Sequence, residues 1–303
     1  MIEIGTGDGY AEQARLYREL ADIETDHQRR YFIGERLAQI GDTRPGTGVK
    51  DGLPDIAWLS VDDSDGPYAF AFGTFAVKPF YIARYLTTVA QFQAFADSGA
   101  YDDPHWWEGF PTECQPQAHN VSKNSNANAP HDTVSWYQAV AFGRWLTVQC
   151  DGLVLAHPSG ISLRVGENAV IRLPAEWEWQ WAAQGDTEAR TYPWGKWDDQ
   201  PRANTGEAGV NERSSAVGMY PHGTARCGAL DMAGNLWEWC QSQRSDTALL
   251  NGYATGESKV LRGGSFYEPA RDAAAAYSNQ DFPIHMFYRF GFRLVVGRRV
   301  ETL

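Results

Sequence analysis

The chain has 303 residues, 43% of them apolar and 13% aromatic, enough to bury a substantial core in one large domain or two modest ones. Its formal charge of −12, with no basic stripe along it, argues against a nucleic-acid backbone as partner. No run of about 18 apolar residues occurs, and charges interrupt the N-terminus where a signal peptide needs an apolar stretch, so no membrane partner is expected and the expected location is the cytoplasm. Cys114, Cys150, Cys227 and Cys240 form no CxxC pair, which fits reduced thiols better than a disulfide scaffold.

In chain order, Leu16, Leu20, Ile23, Ile33, Leu37 and Ile40 come first, mostly three, four or seven apart, with charges between them and Gly41 placed to end a helix. The spacing predicts one or two amphipathic helices over 10–41. They either pack on the main body, associate with a second copy, or belong to a larger helical region. The turn-rich stretch Thr43–Pro54 then reads as a connector, which divides the chain into an N-terminal segment, 1–54, and a main domain, 55–303. Short β-like runs such as Tyr68–Val77 follow. Thr88 with Gln91, and Ser135 with Gln138, make capping-box patterns that open two helices. A third helix is expected at Pro174, with proline in its first position and Gly185 just past its end. Within it Trp177 and Trp181, four apart, share a face that reads as a core anchor. Residues 98–132 and 186–229 are loop-like, and this mixture predicts an α+β domain.

The last part of the chain has a frame and a filling. Arg262-Gly263-Gly264-Ser265 stands at one end and Gly291-Phe292-Arg293-Leu294 at the other. Between them Tyr267, Phe282, Ile284, His285, Phe287, Tyr288 and Phe290 crowd a stretch with no sustained period of 2 or 3.6, so it reads as irregular surface loop. Aromatic side chains on a surface loop point to a partner.

Seven motifs recur in an ordered series: Phe80–Tyr85, Val134-Ser135-Trp136, Arg172–Trp179, Tyr192-Pro193-Trp194-Gly195, Asp231–Trp239, Arg262–Ser265 and Gly291-Phe292-Arg293. The series resembles the formylglycine-generating sulfatase-modifying family and covers about residues 55–297. The resemblance implies a formylglycine-generating type of C-type lectin fold with much irregular structure. It also implies two copper-binding cysteines, and these positions fall near Glu268 and Ala273; no cysteine occurs between 241 and 303. A carboxylate and a methyl cannot replace two soft thiolates, so no copper and no such oxidation are expected. A related branch that uses histidine-bound iron is not indicated either, since His105, His119, His131, His157, His222 and His285 make no HxxxH or HxH pair. Of two family calcium sites, one maps onto Asp231, Gly234, Leu236 and Glu238, whose hard oxygens would suit a structural Ca²⁺. The other maps only as far as Asn204 and Thr205, and its expected aspartate falls near Gly209.

The family resemblance extends to the variable proteins of diversity-generating retroelements, whose diversified segment lies in the same place, here 265–293. On that likeness the chain is expected to be a non-catalytic ligand-binding protein with a protein ligand. The contact residues would be Tyr267, Asp272, Ser278, Asn279, Asp281, Phe282, Ile284, His285, Phe287 and Tyr288, while Ala273–Ala276 packs inside. Two other readings stand beside it. One is an enzyme of altered chemistry with Glu268, Asp272 or His285 as acid or base. The other is a structural or sensor module that self-associates or signals through its N-terminal helices.

Overall fold

In the computed structural model, residues 8–115, 119–209, 213–243 and 258–299 are described. Two helices come first, α1 (Asp8–Leu20) and α2 (His27–Ile40). A hairpin of β1 (Val49–Lys50) and β2 (Leu53–Pro54) leads to β3 (Trp58–Val61), a second hairpin of β4 (Pro67–Phe70) and β5 (Gly73–Ala76), then β6 (Phe80–Ala83) and helix α3 (Val89–Asp97). Helix α4 (Trp136–Gln149), a hairpin of β7 (Val154–Ala156) and β8 (Ser162–Arg164), β9 (Val170–Arg172) and helix α5 (Glu176–Gln184) make the middle. The last third holds β10 (Trp237–Gln243), β11 (Lys259–Arg262), β12 (Ser278–Asp281), β13 (Phe290–Gly291) and β14 (Val295–Gly297). The segment 43–54, read as pure connector, contains the first hairpin.

Both capping boxes form, Thr88 and Ser135 each accepting from the backbone N–H three residues on. Helix α5 starts at Glu176 with Ala175 as N-cap, so Pro174 precedes the helix and does not occupy its first turn; Gly185 ends it in the left-handed conformation. Two four-stranded sheets order the body, β3-β6-β14-β9 and β12-β11-β10-β13. The second is antiparallel except where β10 runs parallel to β13, which places Trp237 beside Phe290 and Glu238 beside Gly291.

Between α4 and the first sheet lies an aromatic core that includes Phe92, Trp136, Phe142, Trp237, Trp239 and Phe292. On the other side of that sheet Trp179 and Trp181 of α5 pack with Ile82, Cys240 and Val295, while Trp177 is only partly buried. The N-terminal helices cover the body with their apolar side: Leu16, Leu20, Ile33 and Leu37 meet Ala216, Met219 and Tyr220. Arg30, fully buried, fixes the join by donating to the carbonyls of Leu20, Thr25 and Met219. No helix among the described residues is long and apolar enough to cross a membrane.

Candidate functional site

Two buried arginines build the frame of the C-terminal segment. Arg262 donates to Gln180 of α5 at 2.7 Å and to the carbonyls of Ala275 and Tyr277, and its guanidinium lies 3.1 Å from Glu176. It thereby ties the start of the segment to the helix behind it. Arg293 makes a two-pronged bond to Glu238, at 2.6 and 2.7 Å, and donates to the carbonyl of Leu230 at 2.9 Å. Two glycines permit the close approach. A Cβ on Gly264, which has φ +70°, would stand 3.0 Å from the backbone of Ala273, and one on Gly291 would stand 2.8 Å from Leu236. The ends of the segment are also clasped together, because Glu268 accepts from Ser265 on one side and from Arg289 on the other.

The segment is not wholly irregular. Residues 278–281 form the edge strand β12, paired antiparallel with β11, and 270–273 make a 3₁₀ turn. The polar run Ser278–Asp281 has no alternation of apolar residues, so only its backbone pairing reveals it as a strand. That strand separates the expected contact residues, since Asn279 and Asp281 point to one face and Ser278 to the other. Ala273 and Ala275 are buried as expected, whereas Ala276 is exposed.

Beyond the strand the backbone is anchored at intervals. The carbonyl of Pro283 accepts from the N–H of Trp136, that of Phe287 from Thr133, and that of Arg289 from Trp237. The side chains between those anchors face outward: Phe282 is 47% exposed, Ile284 45%, Phe287 42% and Tyr288 37%. Tyr267 is exposed too, with the guanidinium of Arg289 over its ring at 5.4 Å, while Asp272 is half-buried beside Arg271. His285 Nδ1 lies 2.5 Å from a carboxylate oxygen of Asp281. Its ring meets Phe282 and Phe287 edge to face.

A second loop joins this face that sequence reasoning did not select. Lys123 holds its ammonium 4.1 Å from the ring of Tyr288, and Asn120 donates to the sulfur of Met286. Next to them a cavity of about 210 Å³ is lined by Glu113, Cys114 and Tyr137 together with residues 282–285. Burial raises the Cys114 thiol above its ordinary range, against a hydrogen bond from Tyr137 that lowers it. Tyr137 occupies an early helical position and Cys114 a short 3₁₀ turn, and neither place carries a sequence signal for a site.

The residues mapped for calcium are together but do not fit an ion. Both oxygens of Glu238 are taken by Arg293, and Oε2 also accepts from the indole of Trp179 at 2.8 Å. A guanidinium thus stands where the cation would compensate this carboxylate. Asp231 is buried and accepts from the N–H of Gly218 at 2.6 Å; burial pushes its carboxyl up to about 6, against the pull of that N–H, Arg293 and Arg44. Gly234 has its own role, since its φ is +77° and a Cβ there would strike the carbonyl of Asn204. Leu236 is fully buried in an apolar cluster. Asn204 donates to the carbonyl of Arg213 and to the side-chain oxygen of Asn235, so its side chain is already engaged by two other stretches of the chain.

Because the folded-state value of Asp231 lies above its ordinary 3.8, the neutral form favours folding below that value, and the advantage is lost as pH rises through about 6. Between pH 4 and pH 7, Asp231→Asn is therefore expected to gain about 2 kcal/mol relative to the parent, measured by urea unfolding across the range. A pH-independent difference would show that the buried group is ionised throughout.

A family model described as sulfatase-modifying factor enzyme 1-like domain matches residues 58–298. The chain belongs to this family. Among curated relatives of the chain, the hercynine oxygenase of Mycolicibacterium thermoresistibile is 29% identical over 82% of the chain and 61% of its own length. The formylglycine-generating enzyme of Thermomonospora curvata is 26% identical over 68% of the chain and 75% of its own length. The chain thus spans about three fifths of the length of the hercynine oxygenase. Among solved structures, PvdO from Pseudomonas aeruginosa aligns with a TM-score of 0.59 at 18% identity, over 84% of this chain and 99% of that one. Treponema denticola variable protein 1 aligns with a TM-score of 0.55 at 19% identity, over 79% and 94%. The fold is therefore the α+β, formylglycine-generating-enzyme type of C-type lectin fold.

These relatives overturn the expectation that the chain is not an enzyme. Hercynine oxygenase and formylglycine-generating enzyme are enzymes by name, and they are its curated relatives. What does not fit is the copper pair of the oxidases. Glu268 is locked between Ser265 and Arg289, Ala273 offers a buried methyl, and neither is a soft thiolate.

Proposed function

We propose that this family member acts through its C-terminal face, binding a ligand, expected to be a protein, with the side chains of residues 278–288 and of the 119–123 loop beside them. The supporting observation is the division between backbone and side chains. Carbonyls at Pro283, Phe287 and Arg289 are bonded to the backbone of Trp136, Thr133 and Trp237, while the side chains of Phe282, Ile284, Phe287 and Tyr288 stand outward. Rigid aromatic groups on a fixed backbone bind with little entropy left to lose, and they can be exchanged without altering the fold. This suits a variable protein whose segment 265–293 is diversified. Such a gene would carry, nearby, a near-copy of the DNA for that segment with adenines at the differing positions, beside a reverse transcriptase.

Binding is tested by panning a displayed peptide library on the parent chain. Binders are expected to lose at least about tenfold in affinity when Phe282, His285, Phe287 and Tyr288 are together replaced by serine. Binders indifferent to that change would move the site elsewhere.

A second reading rests on the Asp281–His285 pair, which flanks the cavity holding Cys114 and Tyr137. Together with the enzymatic relatives, it makes the ligand a substrate and His285 its acid–base group, oriented by Asp281. In that case His285→Gln keeps ligand affinity and removes turnover.

A further inference from the structure

The cavity beside the C-terminal face is shared with it. Of its lining, Phe282, Pro283, Ile284 and His285 belong to the face as well, so a protein lying on those side chains also covers this space of about 210 Å³. Its walls are fixed. Tyr137 is 1% exposed at the start of α4, its hydroxyl bonded to the Cys114 thiol, and the carbonyl of Pro283 accepts from the N–H of Trp136. A cavity held in this way is formed before a ligand arrives, and filling it costs little ordering of the protein.

The lining is apolar with one carboxylate. Phe282, Pro283, Ile284 and the ring of Tyr137 supply carbon surface, the thiol and the hydroxyl answer each other, and His285 is engaged at Nδ1 by Asp281. The carboxylate is that of Glu113, which is exposed on the 3₁₀ turn Thr112–Cys114, and among the described residues no ion pair reaches it. Burial raises the Cys114 thiol and the Tyr137 hydroxyl above their ordinary ranges, and the negative charge of Glu113 adds to the rise of both, so that charge is felt inside the cavity. The cations of neighbouring stretches are placed elsewhere: Arg144 stands over Phe110, Lys259 over Trp136 and Lys123 over Tyr288, and none of the three lines the cavity.

An acidic side chain entering here would be repelled by Glu113. A purely apolar one would suit the walls, but the interface closing over it would strip water from a carboxylate left without a counter-charge. A basic side chain meets both demands, because its carbon stem covers apolar wall while its charged end stays with the carboxylate. We propose that the cavity receives a basic side chain of the protein ligand, its stem against Tyr137, Phe282 and Ile284 and its cationic end at Glu113. This rests on the reading of the C-terminal face as the ligand-binding surface, and it names the chemistry of the partner. The aromatic lining adds to the attraction, since cations are drawn to the faces of such rings.

The test starts from a displayed library of random peptides panned on the full chain, keeping as probes those whose binding is lost on the serine replacement of Phe282, His285, Phe287 and Tyr288. Their affinities are then measured by calorimetry. Each probe is expected to carry a lysine or arginine whose replacement by norleucine, which keeps a carbon stem and drops the charge, weakens binding by about threefold or more. Glu113→Gln is expected to weaken the parent peptides by about threefold and Glu113→Lys by about tenfold, both with the melting temperature of the parent chain. The norleucine peptide should lose nothing further with Glu113→Gln, because its charge was the group that Glu113 answered. Glu24→Lys, which changes the net charge by the same amount at an exposed position between α1 and α2, should leave affinity unchanged.

Peptides that need the aromatics but carry no basic residue, or are indifferent to Glu113→Lys, would overturn the proposal and leave the face as a binding surface. Equal weakening by Glu24→Lys would show a diffuse attraction to an acidic chain and would overturn it too. If no panned peptide depends on the aromatics, the reading of the face fails and the proposal fails with it. Should the Glu113 variants prove unstable, the norleucine replacement decides the matter, since it leaves the protein unaltered.

Discussion

Glu238→Ala is expected to lower stability by about 3–5 kcal/mol, because it takes from the buried Arg293 guanidinium the carboxylate bonded to it. Both side chains are fully excluded from solvent. In the parent, Glu238 answers two nitrogens of Arg293 and the indole of Trp179; Arg293 also donates to the carbonyls of Ala83, Arg84 and Leu230, and its charge reaches the buried Asp231 carboxyl without a direct bond to it being among these contacts. The pair also joins β10 to the chain just after β13, so its loss loosens the closing end of the C-terminal frame. Equilibrium urea unfolding measures the cost. A loss below about 1 kcal/mol would mean that water reaches the pair, and the frame would then need another explanation.

Trp237→Ala is expected to cost about 3–5 kcal/mol as well, for a different reason. Its ring is 1% exposed within the aromatic core, and its N–H donates to the carbonyl of Arg289. Alanine keeps that backbone bond and leaves a cavity beneath the segment. Thermal unfolding gives the size of the effect. A small cost would show that neighbouring rings collapse into the gap, and would weaken the distinction between core and surface aromatics.

The parts of the fold legible in the sequence are those with local physical signatures. Thr88 with Gln91 and Ser135 with Gln138 could be read because a capping box is completed within four residues. The stripe of Leu16, Leu20, Ile33 and Leu37 pointed to one or two helices, but what covers it, Met219 and Tyr220, lies far away in the chain. Strand β12 was illegible for the reason edge strands often are: Ser278–Asp281 is specified by hydrogen bonds to β11, while its side chains carry no apolar period. The outward side chains of 282–288 could be anticipated from composition. Their neighbours Asn120, Lys123, Cys114 and Tyr137 could not, since tertiary packing alone brings them there. Asp231 and Glu238 show the reverse case. The family resemblance places a cation beside them, and for Glu238 the fold supplies one as Arg293, which lies 55 residues away in the chain.

Thermal denaturation of the variant with Phe282, His285, Phe287 and Tyr288 all changed to serine tests most directly whether the exposed aromatics are separable from the fold. Each of these side chains is substantially exposed, and the backbone bonds at Pro283, Phe287 and Arg289 survive the change. Surface substitutions typically shift stability by only about ±0.5 kcal/mol each, so a cooperative transition within a few degrees of the parent is expected. Collapse of the variant, with a loss comparable to that of Trp237→Ala, would show that these rings belong to the core, and would contradict the assignment of this face to ligand binding.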